Sequence, residues 1–355
     1  MKDLLEVNYI PLLSVRPAEL RALKELPNKT KDSLLPSLTL RPWTTAHYLA
    51  AVLDKIEDAY GDRPLIADAG SPEPVEGGIR PVHHELAVLR NPANGYEKWY
   101  EFLLAHPNYI PTLQLSEIGE VGLEIDRLAD LGRGLVIRVP EYAFSTAANW
   151  VHLAKASVPE ARICVLFDYE QKNRDLLTRA AAIRTLSANI LEQSPTCSVA
   201  LSASSFPMEF TGRSDQEIYE RRLFNEVRQA LDGGNLIYSD RGSARAERQT
   251  GGGGTPAPRI DLAGTEQWSF FREEDDGDRN AAYFTAAKRA MNDPLWDDEL
   301  QVWGTQMIRR TADKDDDAIV SPARSTAARI SIHLQQQEFY NNPDEKYDTD
   351  EDWQD

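Results

Sequence analysis

Residues 134–168, GLVIRVPEYAFSTAANWVHLAKASVPEARICVLFD, contain two short apolar runs that flank a helical segment. The runs are Gly134–Val139 and Ile163–Asp168, and residues 144–157 lie between them. Short strands that are apolar throughout are typical of parallel sheets covered by helices. This stretch therefore predicts one β-α-β unit.

The same alternation extends in both directions along the chain. Helical spacing of apolar residues marks Thr44–Tyr60, Ile118–Leu131 and 171–193. A capping box, Ser214-x-x-Glu217, predicts the start of another helix that buries Leu223, Val227 and Leu231. Eight strands alternating with helices in about 240 residues match a (β/α)8 TIM-like barrel. The eight predicted strands are Tyr9–Leu13, Leu34–Leu40, Pro64–Asp68, Tyr109–Leu113, Gly134–Val139, Ile163–Asp168, Cys197–Leu201 and Leu236–Asp240.

A doubly wound open sheet is the competing architecture. It often carries a glycine-rich phosphate turn, and neither G-x-G-x-x-G nor G-x-x-x-x-G-K-[ST] occurs here. Pro11, Pro36 and Pro111 fit either sheet poorly, because proline removes a donor from the ladder. We expect them at strand starts or bulges.

The composition divides the chain into four parts: a barrel over 1–242, a flexible loop over 243–258, a C-terminal extension over 259–340 and a disordered acidic tail over 341–355. The loop contains four consecutive glycines, and the extension is irregular but rich in aromatic residues, so we expect it to pack on the barrel. The insertion 69–92 follows the third strand and should overhang the carboxyl end of the barrel.

The formal net charge of −18 disfavours broad binding to duplex DNA, which requires lysine and arginine to replace counterions. No apolar run reaches 18 residues, so no membrane span is predicted. Cys164 and Cys197 lie in apolar runs and read as buried, reduced thiols. Together with the lack of a signal peptide, they favour a cytoplasmic location.

Charged residues stand where the predicted strands end. In a TIM barrel this is the face that carries catalytic groups. Asp68, Asp168 and Asp240 are the candidate catalytic acids, and Arg138 and Arg241 are candidate ligands for an anionic group. The alternative is structural: the aspartates cap helices, and Arg138 pairs with one of them.

Three aspartates offer the hard oxygen ligands that Mg²⁺ or Mn²⁺ prefers, although the pattern does not require either ion. No histidine occurs at a strand end, which weighs against a zinc hydrolase. Ser202, Ser204 and Ser205 follow the seventh strand without a nearby histidine, so we expect them to form loop hydrogen bonds.

The opening YIPLLSVRPAELRALKEL (9–26) resembles the Beta protein family of phages and bacteria, with Glu19, Ala22 and Leu23 at matching positions. The similarity continues through PLIADA, VIRVP, VLFDYE, NLIYSDRGSA, RIDLAGTEQWSFFRE, WGTQMIRRTA and SPARSTAARISIHL. Family members usually carry a lysine after the first strand, where this chain has Ser14-Val15, so no role of that lysine carries over. The resemblance implies a phage, prophage or defence context and names no reaction. It adds Glu19 and His333 as candidate ligand-binding residues, although His333 alone reads equally as a packed histidine.

Two function classes follow. The first is a binding or accessory factor, built on the barrel, with a protein or a small anionic ligand as its partner. The second is a hydrolase or phosphoester-processing enzyme that uses the strand-end acids and arginines. Acids clustered within reach of one another would favour the enzyme, and acids paired to structural groups would favour the scaffold.

Overall fold

The computed structural model describes residues 4–75, 78–231, 234–246, 256–274 and 277–349. Its strands are β1 (Tyr9–Ser14), β2 (Ser37–Thr39), β3 (Leu65–Asp68), β4 (Tyr109–Pro111), β5 (Leu135–Pro140), β6 (Ile163–Gln171), β7 (Ser198–Ser204), β8 (Asp215–Glu217), β9 (Leu236–Asp240), β10 (Arg259–Ala263) and β11 (Gln267–Arg272). Its α-helices are α1 (Pro17–Lys24), α2 (Asn28–Ser33), α3 (Leu49–Tyr60), α4 (Pro81–Leu89), α5 (Ala93–Ala105), α6 (Val121–Asp130), α7 (Ala147–Ala154), α8 (Ala180–Gln193), α9 (Tyr219–Ala230), α10 (Arg279–Met291), α11 (Trp303–Ala312) and α12 (Pro322–Glu338).

Eight strands, β1–β7 and β9, form one parallel sheet that follows chain order, and β9 returns to pair with β1. The last gap, between β4 and β5, is bridged at Thr112 and Val136, where Leu113 N donates to Val136 O at 2.9 Å. The predicted (β/α)8 TIM-like barrel is therefore confirmed.

The three prolines occupy positions that cost the ladder little. Pro36 precedes β2, and Pro111 is the last residue of β4. Pro11 lies where β1 changes its register partner, because Tyr9–Pro11 align with β9 and Leu12–Ser14 align with β2.

Strand side chains alternate between the two faces of the barrel wall. The inward set is apolar near the amino ends of the strands and includes Ile10, Ile66, Val136, Leu166 and Ile237. The outward set packs against the helices in a separate and larger core. The barrel is thus filled near the amino ends of its strands, and charged residues of the inward face stand at the carboxyl ends, which we call the mouth.

The C-terminal extension is more regular than the sequence predicts. Strands β10 and β11 pair antiparallel, and β8 joins them from within the barrel sequence. Helix α12 connects two cores: Ile330 and Leu334 pack in the barrel core, and Ala327, Ala328 and Ile332 pack in the core of the extension. Helix α12 therefore contributes side chains to both cores.

The predicted capping box at Ser214 and Glu217 is wrong. Asp215–Glu217 forms β8, which pairs with β11, and the helix begins only at Tyr219. Leu223 and Val227 are buried in that helix as predicted, whereas Leu231 lies just beyond its end and is half-buried. Pairing with a strand more than 50 positions away overrode the local signal, a competition that sequence motifs do not register.

Residues 247–255 of the predicted flexible loop and 350–355 of the predicted disordered tail lie outside the described residues. Within the described part of the tail, Pro343–Tyr347 forms a 3-10 helix, and Asp348 accepts from Lys29 Nζ at 2.7 Å. Cys164 and Cys197 are buried free thiols. None of the described helices has the length and apolar character needed to cross a membrane.

Candidate functional site

Four charged side chains meet at the mouth, and we call Asp68, Arg138, Asp168 and Arg241 the mouth network. Arg138 donates from Nε and Nη2 to Asp168 Oδ2 at 3.0 and 2.5 Å, and its Nη1 donates to Asp68. Arg241 Nη2 donates to the same Asp168 oxygen at 2.6 Å. These charge-assisted hydrogen bonds tie β3, β5 and β6 to the turn that follows β9.

The alternation of the strands explains why these four residues meet. Asp168 is two positions beyond the inward-facing Leu166, and Arg241 is four positions beyond the inward-facing Ile237. An even spacing keeps a side chain on the same face of a strand. Asp68 and Arg138 have the same relation to inward-facing residues of β3 and β5.

The electrostatics of the network favour an ionised Asp168. Burial alone would raise the pKa of Asp168, but Arg241 and Arg138 together hold it well below its usual range. Asp68 also accepts from Thr39 Oγ1 at 3.2 Å and from Gly70 N at 2.8 Å. Both acids at the mouth are therefore engaged by arginines and neighbouring donors.

Asp240, the third predicted catalytic acid, lies outside the mouth network. Asp240 is three positions beyond Ile237, and an odd spacing puts a side chain on the opposite face of a strand, so it faces the helices instead of the mouth. Its carboxylate accepts from Tyr9 OH at 2.5 Å, Tyr238 OH at 2.8 Å and Gly242 N at 2.7 Å, and its Oδ2 lies 2.6 Å from His333 Nε2. We call Asp240, Tyr9, Tyr238 and His333 the outer cluster, and all four side chains are buried.

His333 reaches the outer cluster from α12, 93 positions along the chain from Asp240. Its Nδ1 has no hydrogen-bond partner among the described residues, and its ring stacks on Trp268 at 6.0 Å. Nε2 is therefore the ring nitrogen that donates to Asp240, because only that nitrogen faces an acceptor. Burial would raise the pKa of Asp240, but His333, Tyr9 and Gly242 lower it. The sequence showed no histidine at a strand end, and tertiary packing places one against the end of β9.

Glu19 lies in α1 and accepts from Ser14 N at 2.6 Å, so it caps the amide at the end of β1. Two further buried glutamates do the same: Glu124 accepts from Gln114 N at 3.0 Å, and Glu220 accepts from Ser205 N at 3.2 Å. Burial raises the pKa of Glu19 and of Glu220 to about 7 in each case. The barrel thus repeats one device, in which the glutamate of a helix satisfies the end of a strand.

A cavity of about 570 Å³ opens beside the network, and we call it the mouth cavity. The predicted insertion 69–92 lines one side of it, with Glu73, Arg80, His83 and Arg90. Arg16 and Arg41 share Glu73, with nitrogen–oxygen distances of 2.9 and 3.3 Å. These arginines were not among the residues predicted from the sequence. Arg41 directly follows the apolar run Leu34–Leu40, so the expectation that functional charges stand at strand ends would have found it.

Arg80 and Arg90 are held by the backbone. Arg80 Nη1 donates to the carbonyls of Trp43, Thr44 and Ala46 at 2.7–3.0 Å. Arg90 Nε donates to the carbonyls of Ala69 and Gly70 at 2.9 and 2.8 Å. Neither forms an ion pair with any residue that the structure describes, so each brings an unbalanced positive charge to the cavity.

Among the described residues, no group of three or more histidine, cysteine, aspartate or glutamate side chains is arranged to hold a metal ion. The Arg138 guanidinium bridges Asp68 and Asp168, so Mg²⁺ or Mn²⁺ would have to displace it to use both. Ser205 Oγ donates to Glu220, and Ser204 Oγ donates to Ala244 O at 2.7 Å, as predicted for these two serines. Ser202 Oγ has no hydrogen-bond partner among the described residues, contrary to the prediction.

The family model described as Beta protein matches residues 9–339. The chain belongs to the Beta protein family. It is 27% identical over 340 residues to "Protein beta" of Enterobacteria phage P4, covering 93% of this chain and 92% of the phage protein. The resemblance seen in the sequence is therefore confirmed, and the chain has a phage homologue.

Two solved structures of the carboxyl transferase domain of Rhizobium etli pyruvate carboxylase are also similar. One has a TM-score of 0.36 at 12% identity, covering 67% of this chain and 40% of that chain. The other has a TM-score of 0.38 at 11% identity, covering 94% and 49%. This chain spans half or less of the length of either structure, and the assignment of the barrel rests on its own strand pairing.

Proposed function

We propose that this Beta family protein is a cytoplasmic, phage- or defence-associated binding or accessory factor whose mouth cavity binds a small anionic ligand. One observation carries the proposal: the positively charged Arg80 and Arg90 line a cavity that has a single lining carboxylate among the described residues. That carboxylate, Glu73, is already shared by Arg16 and Arg41. Burial also lowers the pKa of Arg41 and of Arg90, a cost that a bound anion would offset.

The state of the acids supports binding over acid–base chemistry. Asp68 and Asp168 cluster, as the enzyme hypothesis requires, but Arg138 and Arg241 occupy the oxygens that would bind a metal or move a proton. Asp240 is enclosed by its own donors. The barrel fold by itself does not imply a reaction.

Titration calorimetry of the full chain with inorganic phosphate and with citrate tests the proposal. We expect at least one anion to bind, and Arg90→Gln and Arg80→Gln each to weaken binding about tenfold, the equivalent of about 1.4 kcal/mol. Arg184→Gln, an exposed arginine on α8, is the matched control and should leave affinity unchanged. If neither anion binds at millimolar concentration, the small-ligand proposal fails and a protein partner becomes the remaining form of the accessory factor.

A phosphoester-processing enzyme is the second candidate, and the position of Glu19 favours it. Its pKa of about 7 suits a general acid or base near neutral pH, and Arg16 and Arg241 are near enough to lower that pKa. Hydrolysis of p-nitrophenyl phosphate or bis-p-nitrophenyl phosphate, assayed with and without Mg²⁺ or Mn²⁺, should then be lost in Glu19→Gln. No hydrolysis by the wild-type chain under any of these conditions would reject this candidate for these substrates.

A further inference from the structure

A second cavity, of about 730 Å³, lies between the barrel and the C-terminal extension, and we call it the extension cavity. The loop after β7, the turn after β9, strand β10 and helix α12 all contribute to its wall. It is distinct from the mouth cavity, with which it shares Arg16 and Pro17. Its arginines are Arg16, Arg245, Arg259, Arg272 and Arg329.

The charges of these arginines are not balanced by the acids around them. Arg259 and Arg329 share one buried carboxylate, that of Asp261, at 2.5 Å each. Arg245 and Arg272 form no ion pair with any described residue. Among the described residues, these four arginines therefore contact one carboxylate, which leaves an excess of three positive charges in a protein whose net charge is −18.

Two acids, Glu19 and Glu209, also line the cavity and contribute to the charge of its wall. Glu19 caps the Ser14 amide, as described above, and lies 3.9 Å from Arg16. Glu209 is exposed at the rim. Neither contacts Arg245 or Arg272, so the positive excess remains at the wall of the extension.

Three of these guanidinium groups, those of Arg245, Arg259 and Arg329, are held in place by neighbouring groups of the protein. Arg245 donates from Nε to Pro207 O and from Nη2 to Met208 O, both at 2.9 Å. Arg259 stacks on Phe210 at 3.4 Å from the ring centroid, and Arg329 stacks on Phe206 at 3.8 Å. Such fixed donors lose little freedom on binding, which improves affinity.

Arg329 is the deepest of these groups. Its Nε donates to Ser243 Oγ at 3.3 Å and its Nη1 to Asp261, while its Nη2 donates to no described residue. Burial lowers the pKa of Arg329 to about 10. Asp261 raises this pKa, whereas Arg259 and Arg245 lower it further. A bound anion would supply both the missing acceptor and the missing charge.

We propose that the extension cavity binds two or more linked phosphate groups of a small phosphorylated ligand. One phosphate carries at most about two negative charges near neutral pH. An excess of three positive charges therefore matches a diphosphate or triphosphate better than a single phosphate. Arginine is suited to this task because its planar fork binds phosphate oxygens in pairs.

Calorimetry of the full chain with pyrophosphate, ATP, AMP and inorganic phosphate tests the inference. We expect pyrophosphate and ATP to bind at least tenfold more tightly than AMP and inorganic phosphate. Equal affinity for pyrophosphate and ATP would mean that the phosphates alone are recognised, and tighter binding of ATP would mean that the site takes a nucleotide. Tighter binding of a ten-nucleotide single strand than of ATP would overturn the small-ligand class.

Variants separate this cavity from the mouth cavity. Arg272→Gln changes an exposed side chain and Arg245→Gln a half-buried one, and each should weaken pyrophosphate binding at least tenfold without loss of folding by circular dichroism. Arg184→Gln should leave it unchanged. If Arg90→Gln abolishes pyrophosphate binding and Arg245→Gln does not, the inference is overturned while the proposed function of the mouth stands.

Discussion

Asp168 lies in β6 and Asp240 ends β9, two strands of the same barrel that are separated by β7, yet the two aspartates belong to different environments. Asp168 faces inward and contacts two arginines at the mouth. Asp240 faces outward, where two tyrosines, one histidine and a backbone amide enclose it. The same residue type at the same end of a strand thus serves two purposes, and a shift of one position along the strand decides which.

The outer cluster should give the largest loss of stability when it is broken. Asp240→Asn places an amide NH₂ among donors and removes the charge that they stabilise, so we expect a loss of about 3 kcal/mol or more in the free energy of unfolding. Urea unfolding followed by circular dichroism measures it. A loss below about 1 kcal/mol would mean that the cluster contributes no more than an ordinary hydrogen bond.

The mouth network should be less costly to break. Arg138→Met removes the bridge between Asp68 and Asp168, but Arg241 still pairs with Asp168 and Asp68 keeps Thr39 and Gly70. We expect a loss of about 2 kcal/mol in the free energy of unfolding. A larger loss than that of Asp240→Asn would reverse the ranking and with it the comparison between the two regions.

The glutamates that cap strand ends should make stability depend on pH. The pKa of Glu19 is raised from 4.5 to about 7 in the folded protein. Its contribution to the free energy of unfolding is therefore complete below pH 4.5 and is lost as the pH rises through 7. Glu19→Gln keeps an acceptor for the Ser14 amide and cannot ionise. Relative to the wild type, it should therefore gain on the order of 2 kcal/mol between pH 5 and pH 8.

Unfolding curves of both proteins at pH 5, 6, 7 and 8 measure this difference. Glu25→Gln, a partly exposed glutamate of the same region, serves as the control and should track the wild type. A constant offset between Glu19→Gln and wild type at all four pH values would show that Glu19 is ionised throughout.

The barrel could be predicted from the sequence because its signal is local: short apolar runs such as Ile163–Asp168 recur between helical segments. The alternation within a strand was equally available, and applied to Ile237, Asp240 and Arg241 it separates the two clusters. His333 could not be placed, because it meets Asp240 only after α12 has packed on the barrel. Apart from Arg41, the arginines of the two cavities were also out of reach, since they come from loops, β10, β11 and α12. Only the folded chain shows which of their charges lack a contacting carboxylate.

We infer that the mouth binds an anion, whereas the outer cluster supports the fold. The dissociation constant for inorganic phosphate or citrate, whichever binds the wild type, separates these roles when it is measured for Asp240→Asn and Arg90→Gln at a temperature where both are folded. We expect Asp240→Asn to bind within about twofold of the wild type despite its lower stability, and Arg90→Gln to bind about tenfold more weakly. Loss of binding in Asp240→Asn with full binding in Arg90→Gln would contradict it.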